Sequence, residues 1–79
     1  MRVLFFAQLK DAAGAAAWEM NISESLDAEG LWCALIFKQP KLAAFRKTTR
    51  LACNGEYATA QTCFTDADEV ALIPPVSGG

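Results

Sequence analysis

The chain of 79 residues contains no histidine, and this absence narrows the chemistry that its side chains can perform. Histidine is the usual acid–base group near neutral pH and the commonest metal ligand. We therefore expect no metal site and no nucleophile activated by an imidazole. A domain of this size buries only about 60% of the surface that its unfolded chain exposes, so an elaborate enclosed active site is not expected either.

Cysteine is also scarce, and its placement indicates no site. Cys33, Cys53 and Cys63 are far apart in the sequence and form no C-x-x-C pair. The spacing therefore gives no sign of a zinc site or of a dithiol redox centre. Because a free thiol packs as a small hydrophobic group, we predict three buried, reduced side chains without a catalytic role.

Blocks of positive charge and long apolar runs are missing too. Seven Lys and Arg residues are scattered against nine Asp and Glu, which gives a formal net charge of −2 and a pI near 4.9. We therefore expect no nucleic-acid partner. The longest apolar run, residues 31–37, is far shorter than the roughly 20 residues that span a bilayer. No signal segment opens the chain, so we expect a cytoplasmic protein without membrane contact.

The residues that are present predict two strands at the start of the chain. An apolar run within residues 1–8 is typical of a strand that is apolar on both faces and lies centrally in its sheet. Apolar and polar residues alternate over 17–22, which indicates a second strand with one buried face. We interpret residues 9–14, between the two, as a polar turn.

One strong helix signal follows the second strand. Residues 23–27 are rich in helix-capping types, and Pro40 predicts the end of the helix. Residues 41–49 are interpreted as a short helical turn and a loop. The apolar residues that recur at helical spacing are Ala28, Leu31, Trp32, Leu35 and Ile36.

The second half of the chain predicts a hairpin and a final strand. Asn54-Gly55 lies between two short strand-like runs and favours a tight hairpin turn. The last strand, residues 70–73, is closed by Pro74-Pro75, which cannot continue a ladder. This element order predicts an α+β fold of the β-grasp, or ubiquitin-like, type: a mixed sheet with one main helix on one face. We expect a single domain at 1–75 and an extended tail at 76–79.

The predicted sheet has one face that the single helix cannot cover. Neighbouring strand residues point to opposite faces, so one of Phe5 and Phe6 lies on the open face, as does one of Leu72 and Ile73. Together with Tyr57 they would form an apolar partner surface. Alternatively, the loop at 40–49 or the connection at 61–69 folds over them, and the sequence leaves both possibilities open.

The carboxyl end has the most specific composition. Gly78-Gly79 follow a strand and a Pro-Pro stop, where no helix needs a cap and no turn needs a glycine. A frayed end is one explanation. The other is that two residues without Cβ form a thin strip of backbone that can enter a narrow channel and present a carboxylate.

Three stretches carry a family resemblance: VLFFAQ at 3–8, NGEY at 54–57 and DEVALIPPVSGG at 68–79. With these, the chain resembles the small subunit of molybdopterin synthase, a ubiquitin-like sulfur-carrier family. Departures from the family pattern are Gly30, Cys53 and the alanine-rich residues 12–17.

The resemblance implies that the reactive group is the last carboxylate. An activating enzyme of the ubiquitin-activating type, an adenylyltransferase using ATP and magnesium, would adenylate Gly79. A sulfur-donor protein would then convert it to a thiocarboxylate. The large subunit would use that sulfur to turn a cyclic pterin monophosphate into the molybdopterin dithiolene. The chain would bind no cofactor itself and would be no enzyme alone, but a subunit of a sulfurtransferase heterotetramer.

The resemblance also implies roles for individual residues. Gly79 carries the sulfur and Gly78 keeps the tail narrow. The rest of the tail is Ser77, Val76, Pro75 and Pro74. The apolar contacts to the large subunit fall on Phe6, Tyr57 and Ile73.

Three alternatives remain at this point. The chain could carry sulfur for another pathway, such as thiamin synthesis or tRNA thiolation, or act as a ubiquitin-like modifier. It could also be a β-grasp interaction module without sulfur chemistry. The acidic residues Asp66, Asp68 and Glu69 are interpreted as a solvated turn, with steering toward a basic partner as the alternative.

Overall fold

The structure is a computed structural model in which residues 1–75 are described; the predicted tail residues Val76, Ser77, Gly78 and Gly79 lie outside the described residues. Within residues 1–75, five strands, two α-helices and one 3₁₀ segment follow one another. Their bounds are β1 Arg2–Phe5, α1 Gln8–Ala13, β2 Ala17–Glu19, α2 Ala28–Lys38, the 3₁₀ segment Pro40–Phe45, β3 Arg50–Cys53, β4 Glu56–Tyr57 and β5 Glu69–Ile73.

The five strands form one mixed sheet in the order β2-β1-β5-β3-β4. β1 and β5 run parallel in the centre, with Phe5 opposite Leu72, whereas the other neighbouring pairs are antiparallel. This sheet, with α2 on one face, is the β-grasp arrangement that the sequence predicts. Because β1 and β5 are central, the chain leaves the sheet from its middle at the end of β5.

The hydrophobic core lies between the sheet and the helical layer. Each strand contributes alternate residues to it, since successive side chains point to opposite faces. The 3₁₀ segment closes one side of the core against α1 and α2. The largest fully buried side chains are Phe64, Leu9, Leu31, Leu35, Leu42, Leu72, Val3 and Val70.

Helix α2 begins and ends where the sequence signals predict. The Asp27 carboxylate accepts a hydrogen bond of 2.7 Å from the backbone N–H of Gly30, which caps the first turn. A Cβ on Gly30 would lie 3.2 Å from that carboxylate oxygen, so glycine allows the close approach. The helix ends at Lys38, and extended Gln39 leads into Pro40.

The prediction of a polar turn at residues 9–14 is wrong, because α1 occupies this segment. Leu9 and Ala13 are buried and lie four residues apart, so they share one helix face against the core. Gly14 ends the helix in a left-handed conformation, with φ of 79°. Burial of one face therefore stabilises a helix too short to persist alone.

The prediction that all three thiols are buried is also wrong, although all three are free. Cys33 and Cys63 are exposed, and only Cys53 is half-buried. Cys33 lies on α2 outside the apolar stripe, and Cys63 lies in a loop directly before the buried Phe64. Burial, and then the nearby Asp68 carboxylate, raise the pKa of Cys53, which keeps this thiol protonated and poorly nucleophilic.

Candidate functional site

The candidate site is the face of the sheet opposite α2. Leu4 of β1, Ala71 of β5, Ala52 of β3 and Tyr57 of β4 form one row across this face by strand register. The two central residues of the row are alanines, so the middle of the face is shallow. Larger side chains at its borders therefore stand out as walls around a groove of about 310 Å³.

The structure brings the three predicted interface residues to this groove. Phe6 is 45% exposed and Tyr57 is 59% exposed, while Ile73 is half-buried. All three line the same groove, together with Ala52, Gly55, Glu69 and Ala71. The open face within residues 1–75 thus carries a continuous apolar groove, which is the geometry of a protein-binding surface.

Neither loop that could have covered the groove lies over it. The 3₁₀ segment Pro40–Phe45 packs against α1 and α2, in the helical layer. The 61–69 connection is held on that side as well, because Phe64 is fully buried and its backbone pairs with Leu26 in an antiparallel bridge. The alternative of a covered face is therefore excluded for these two segments.

Phe6 is fixed at a strained junction between β1 and α1. Ala7 has φ of 51°, a left-handed value that a residue with a Cβ rarely adopts. The Phe6 carbonyl accepts a hydrogen bond of 3.0 Å from the N–H of Leu9, and the Ala7 carbonyl accepts one of 3.0 Å from Lys10. These bonds hold the backbone of Phe6 in place, so its exposed ring is presented from a rigid turn.

The tail begins at the border of the groove. Ile73 is the last residue of β5 and lines the groove, and Pro74 and Pro75 follow it directly. Neither proline has an N–H to extend the ladder, and each restricts φ, so the chain leaves the sheet in a stiff, extended form. The predicted apolar surface and the root of the tail are therefore continuous.

One contact at this border was missed by the sequence analysis. The Arg50 guanidinium carbon lies 4.6 Å from the centroid of the Tyr57 ring, in a cation–π contact. The hairpin is the feature of the sequence from which this contact could have been predicted. A turn at Asn54-Gly55 places Ala52 opposite Tyr57, so Arg50, two residues away, lies diagonally across on the same face.

The acidic residues before β5 act as structural ties. The Asp66 carboxylate accepts hydrogen bonds of 2.9 Å from the N–H of Ile22 and 3.3 Å from the Met1 ammonium group. The Asp68 carboxylate accepts hydrogen bonds of 2.8 Å from the N–H of Thr65 and 3.0 Å from the Asn54 amide. Both side chains thus fasten loops near the start of β5.

These bonds set the direction in which the two carboxyl groups titrate. The backbone N–H of Ile22, followed by the terminal ammonium group, lowers the pKa of Asp66. The N–H of Thr65, followed by the Asn54 amide, lowers the pKa of Asp68. Each hydrogen bond favours the charged form, so each group is more acidic folded than unfolded.

Acid should therefore loosen the fold through these ties. A carboxyl group with a lowered folded pKa stabilises the native state above its unfolded pKa, and that contribution is lost as pH falls through the folded value. We expect the urea midpoint to drop below about pH 4. Asp68→Asn should lower the midpoint at pH 7, since the new amide cannot accept both bonds, and should flatten the acid dependence. An unchanged acid dependence in Asp68→Asn would contradict the role of Asp68.

Residues 1–75 contain neither a cluster of metal ligands nor a membrane-spanning helix. No group of three or more His, Cys, Asp or Glu side chains is arranged to hold a metal ion in this part of the chain. None of the helices described is long and apolar enough to cross a bilayer.

The fold and the groove together define a ubiquitin-like β-grasp protein that presents an apolar face beside the root of its carboxyl tail. A sequence model of the ThiS family matches residues 3–79, and the chain belongs to this family. The sulfur carrier subunit of molybdopterin synthase from Chlamydomonas reinhardtii is 36% identical, over 100% of this chain and 98% of that protein. The sulfur carrier subunit of molybdopterin synthase from Escherichia coli is 32% identical, over 100% of this chain and 99% of that protein. These relatives confirm the resemblance drawn from the sequence.

Solved structures agree with the fold. The crystal structure of SAMP1 from Haloferax volcanii matches with a TM-score of 0.83 and 28% identity, covering 100% of this chain and 98% of that one. A chain in the complex of subunits 1 and 2 of the molybdopterin-converting factor from Helicobacter pylori matches with a TM-score of 0.68 and 24% identity, covering 99% of this chain and 96% of that one. The β-grasp prediction is thereby confirmed.

Proposed function

We propose that the protein is a sulfur carrier that delivers sulfur as a Gly79 thiocarboxylate to the large subunit of molybdopterin synthase. The two relatives described above, at 36% and 32% identity, are both named as the sulfur carrier subunit of molybdopterin synthase. The observation that carries the proposal is the continuity of the groove with the tail root at Ile73 and Pro74. A partner that binds the groove therefore lies next to the residues from which the tail extends.

The chemistry divides between this chain and its partners. The Gly79 carboxylate attacks the α-phosphate of ATP on an activating enzyme that holds magnesium, and pyrophosphate leaves. The terminal sulfur of a persulfide donor then attacks the acyl carbon and AMP leaves. A donor thiol reduces the resulting S–S bond, forming a disulfide and releasing the thiocarboxylate. Its anionic sulfur is the nucleophile, as a thiolate is.

Delivery requires groups that we assign to the large subunit. There the sulfur attacks a carbon of the cyclic pterin monophosphate, and the C–O bond at that carbon breaks, its oxygen leaving as water or staying on the opened phosphate. Water then cleaves the acyl–sulfur bond, and Gly79 returns as a carboxylate. Two deliveries supply the two sulfurs of the molybdopterin dithiolene. The chain has no histidine for acid–base work. We propose a heterotetramer in the cytoplasm, in which the small subunit supplies sulfur and the large subunit supplies catalysis.

Intact mass tests the proposal directly. After incubation with the activating enzyme, ATP, magnesium and a persulfide donor, the chain should gain the mass difference between sulfur and oxygen. The loaded protein, mixed with the large subunit and the cyclic pterin, should yield the dithiolene and return to its original mass. Absence of the mass gain would refute the carrier function. A mass gain without dithiolene would assign the carrier to another pathway, such as thiamin synthesis or tRNA thiolation.

A second candidate is a protein modifier joined to lysines. The Haloferax volcanii structure that matches with 28% identity belongs to a protein named small archaeal modifier protein 1. The same acyl adenylate that accepts sulfur could be attacked by a lysine amine, with AMP as leaving group. Covalent conjugates of the chain on other proteins, detected in cells lacking the large subunit, would favour this function.

A further inference from the structure

We propose that Arg50 recognises a carboxylate on the large subunit and so determines where the partner docks beside the tail. This inference rests on the proposed function and adds to it a specific residue and the chemistry of its contact. Phe6, Tyr57 and Ile73 are apolar and provide contact area for the partner. A charged group at a fixed position determines how the two surfaces align.

Arg50 stands beside the root of the tail. In the sheet it lies directly opposite Ile73, the residue after which the chain leaves β5. Its side chain is exposed, and its guanidinium lies over the ring of Tyr57, which lines the apolar groove. A partner group that meets Arg50 therefore lies next to the point where the tail enters the partner.

The charge of Arg50 is not neutralised by a carboxylate within residues 1–75. Arg2 lies 3.8 Å from a carboxylate oxygen of Glu19, and Arg46 lies 2.7 Å from one of Glu29. Among residues 1–75, no such ion pair involves Arg50. Its guanidinium therefore keeps its N–H donors available for an outside acceptor, and a carboxylate matches that planar fork best.

The groove has opposite charges at its two ends. Glu69 lines it at the start of β5, and Ile73 lines it at the end of β5, four residues further along the strand. Arg50 of β3 lies opposite Ile73 and places a positive charge at that end. A complementary partner surface is apolar in the middle, acidic near the tail and basic at the far end. This polarity allows one docking direction and disfavours the reverse one.

The contact with Tyr57 prepares Arg50 for binding. An unrestrained arginine loses side-chain freedom when it pairs with a partner, and this loss weakens association. The ring of Tyr57 already restricts the guanidinium in the free protein. Tyr57 thus has two roles, as a wall of the groove and as a support for the charge.

Charge reversal tests the inference, and the chain offers a matched control. Lys38 makes the same kind of contact on the other side of the sheet, with its ammonium group 5.2 Å from the centroid of Trp18. We compare Arg50→Glu with Lys38→Glu, which change the net charge equally. Binding of the full, unloaded chain to the large subunit is measured at low and high salt. Arg50→Glu should weaken binding about tenfold or more at low salt, and less at high salt, while Lys38→Glu stays within about twofold of wild type.

A second variant identifies the partner group. Arg50→Lys places an amine at this position that a carbodiimide can couple to a neighbouring carboxylate. In the complex, mass spectrometry should find residue 50 joined to an Asp or Glu of the large subunit, while Lys38 gives no such product. Because Arg50 is exposed, thermal unfolding should show that all variants fold.

The outcomes separate the inference from the function on which it rests. Failure of the wild-type chain to bind the large subunit would contradict the proposed function. Normal wild-type binding together with equal effects of Arg50→Glu and Lys38→Glu would overturn the role of Arg50. So would normal binding without a coupled product at residue 50.

Discussion

Deletion of Gly79 is expected to abolish sulfur loading and dithiolene formation completely, while the stability of the domain stays at the wild-type level. The deletion moves the terminal carboxylate from Gly79 to Gly78, one residue short of the reach that the activating site requires. The variant still ends in a glycine carboxylate, so the expected loss comes from the shorter distance that the tail spans and not from a change of the reacting group. Intact mass after incubation with the activating enzyme, ATP and persulfide is the measurement.

Two further tail variants sharpen this test. Addition of one alanine after Gly79 should also prevent loading. The terminal carboxylate then lies one residue further along the tail, and the last residue has a Cβ that a narrow channel does not accept. Ser77→Ala is the matched control and should load normally, since it alters neither the length nor the final glycines. Wild-type loading of the extended chain would contradict a mechanism that depends on the position of the Gly79 carboxylate. Loading of both the shorter and the longer chain would show that the activating site accepts a terminal carboxylate at any of these positions, whereas only a wild-type chain that fails to load would favour an interaction module with incidental glycines.

The sequence was most informative where local signals agreed. For α2, the cap at Asp27, the apolar stripe and the stop at Pro40 are set within a few residues, so its range could be predicted. The hairpin at Asn54-Gly55 is similar, because Asn54 and Gly55 both have positive φ, as such a turn needs. Strand alternation also predicted that only one of Phe5 and Phe6 could be buried.

Features that depend on distant residues could not be predicted in the same way. Helix α1 was missed because six residues with mixed polarity give a weak pattern, and the core that buries Leu9 is assembled from the whole chain. Strand alternation alone did not decide which face each phenylalanine takes; that depends on the side that α2 covers. The contact of Arg50 with Tyr57 follows from the register of β3 and β4, which becomes visible only when the hairpin is built.

Adjacent phenylalanines allow stability and docking to be separated. Phe5 is 2% exposed, and its ring lies 4.7 Å from that of Trp18 in an edge-on arrangement. Phe5→Ala removes this contact and leaves a cavity, so it should cost about 3–5 kcal/mol. A domain of this size has roughly 5–10 kcal/mol of stability in total. Urea unfolding should therefore show that Phe5→Ala is largely destabilised.

Phe6→Ala should have the opposite effects. Its ring is 45% exposed, and the strained turn at Ala7 is held by backbone bonds that the substitution leaves intact. Stability should therefore change by less than about 1 kcal/mol. An aromatic side chain that projects from the border of a shallow groove is typical of residues that dominate binding, so affinity for the large subunit should fall by about 2 kcal/mol, or roughly thirtyfold. Titration calorimetry on the folded variant measures this. If Phe6→Ala binds as tightly as wild type while Phe5→Ala unfolds, the strand assignment stands but the large subunit does not dock on the groove, because an exposed aromatic wall of the groove would then contribute nothing.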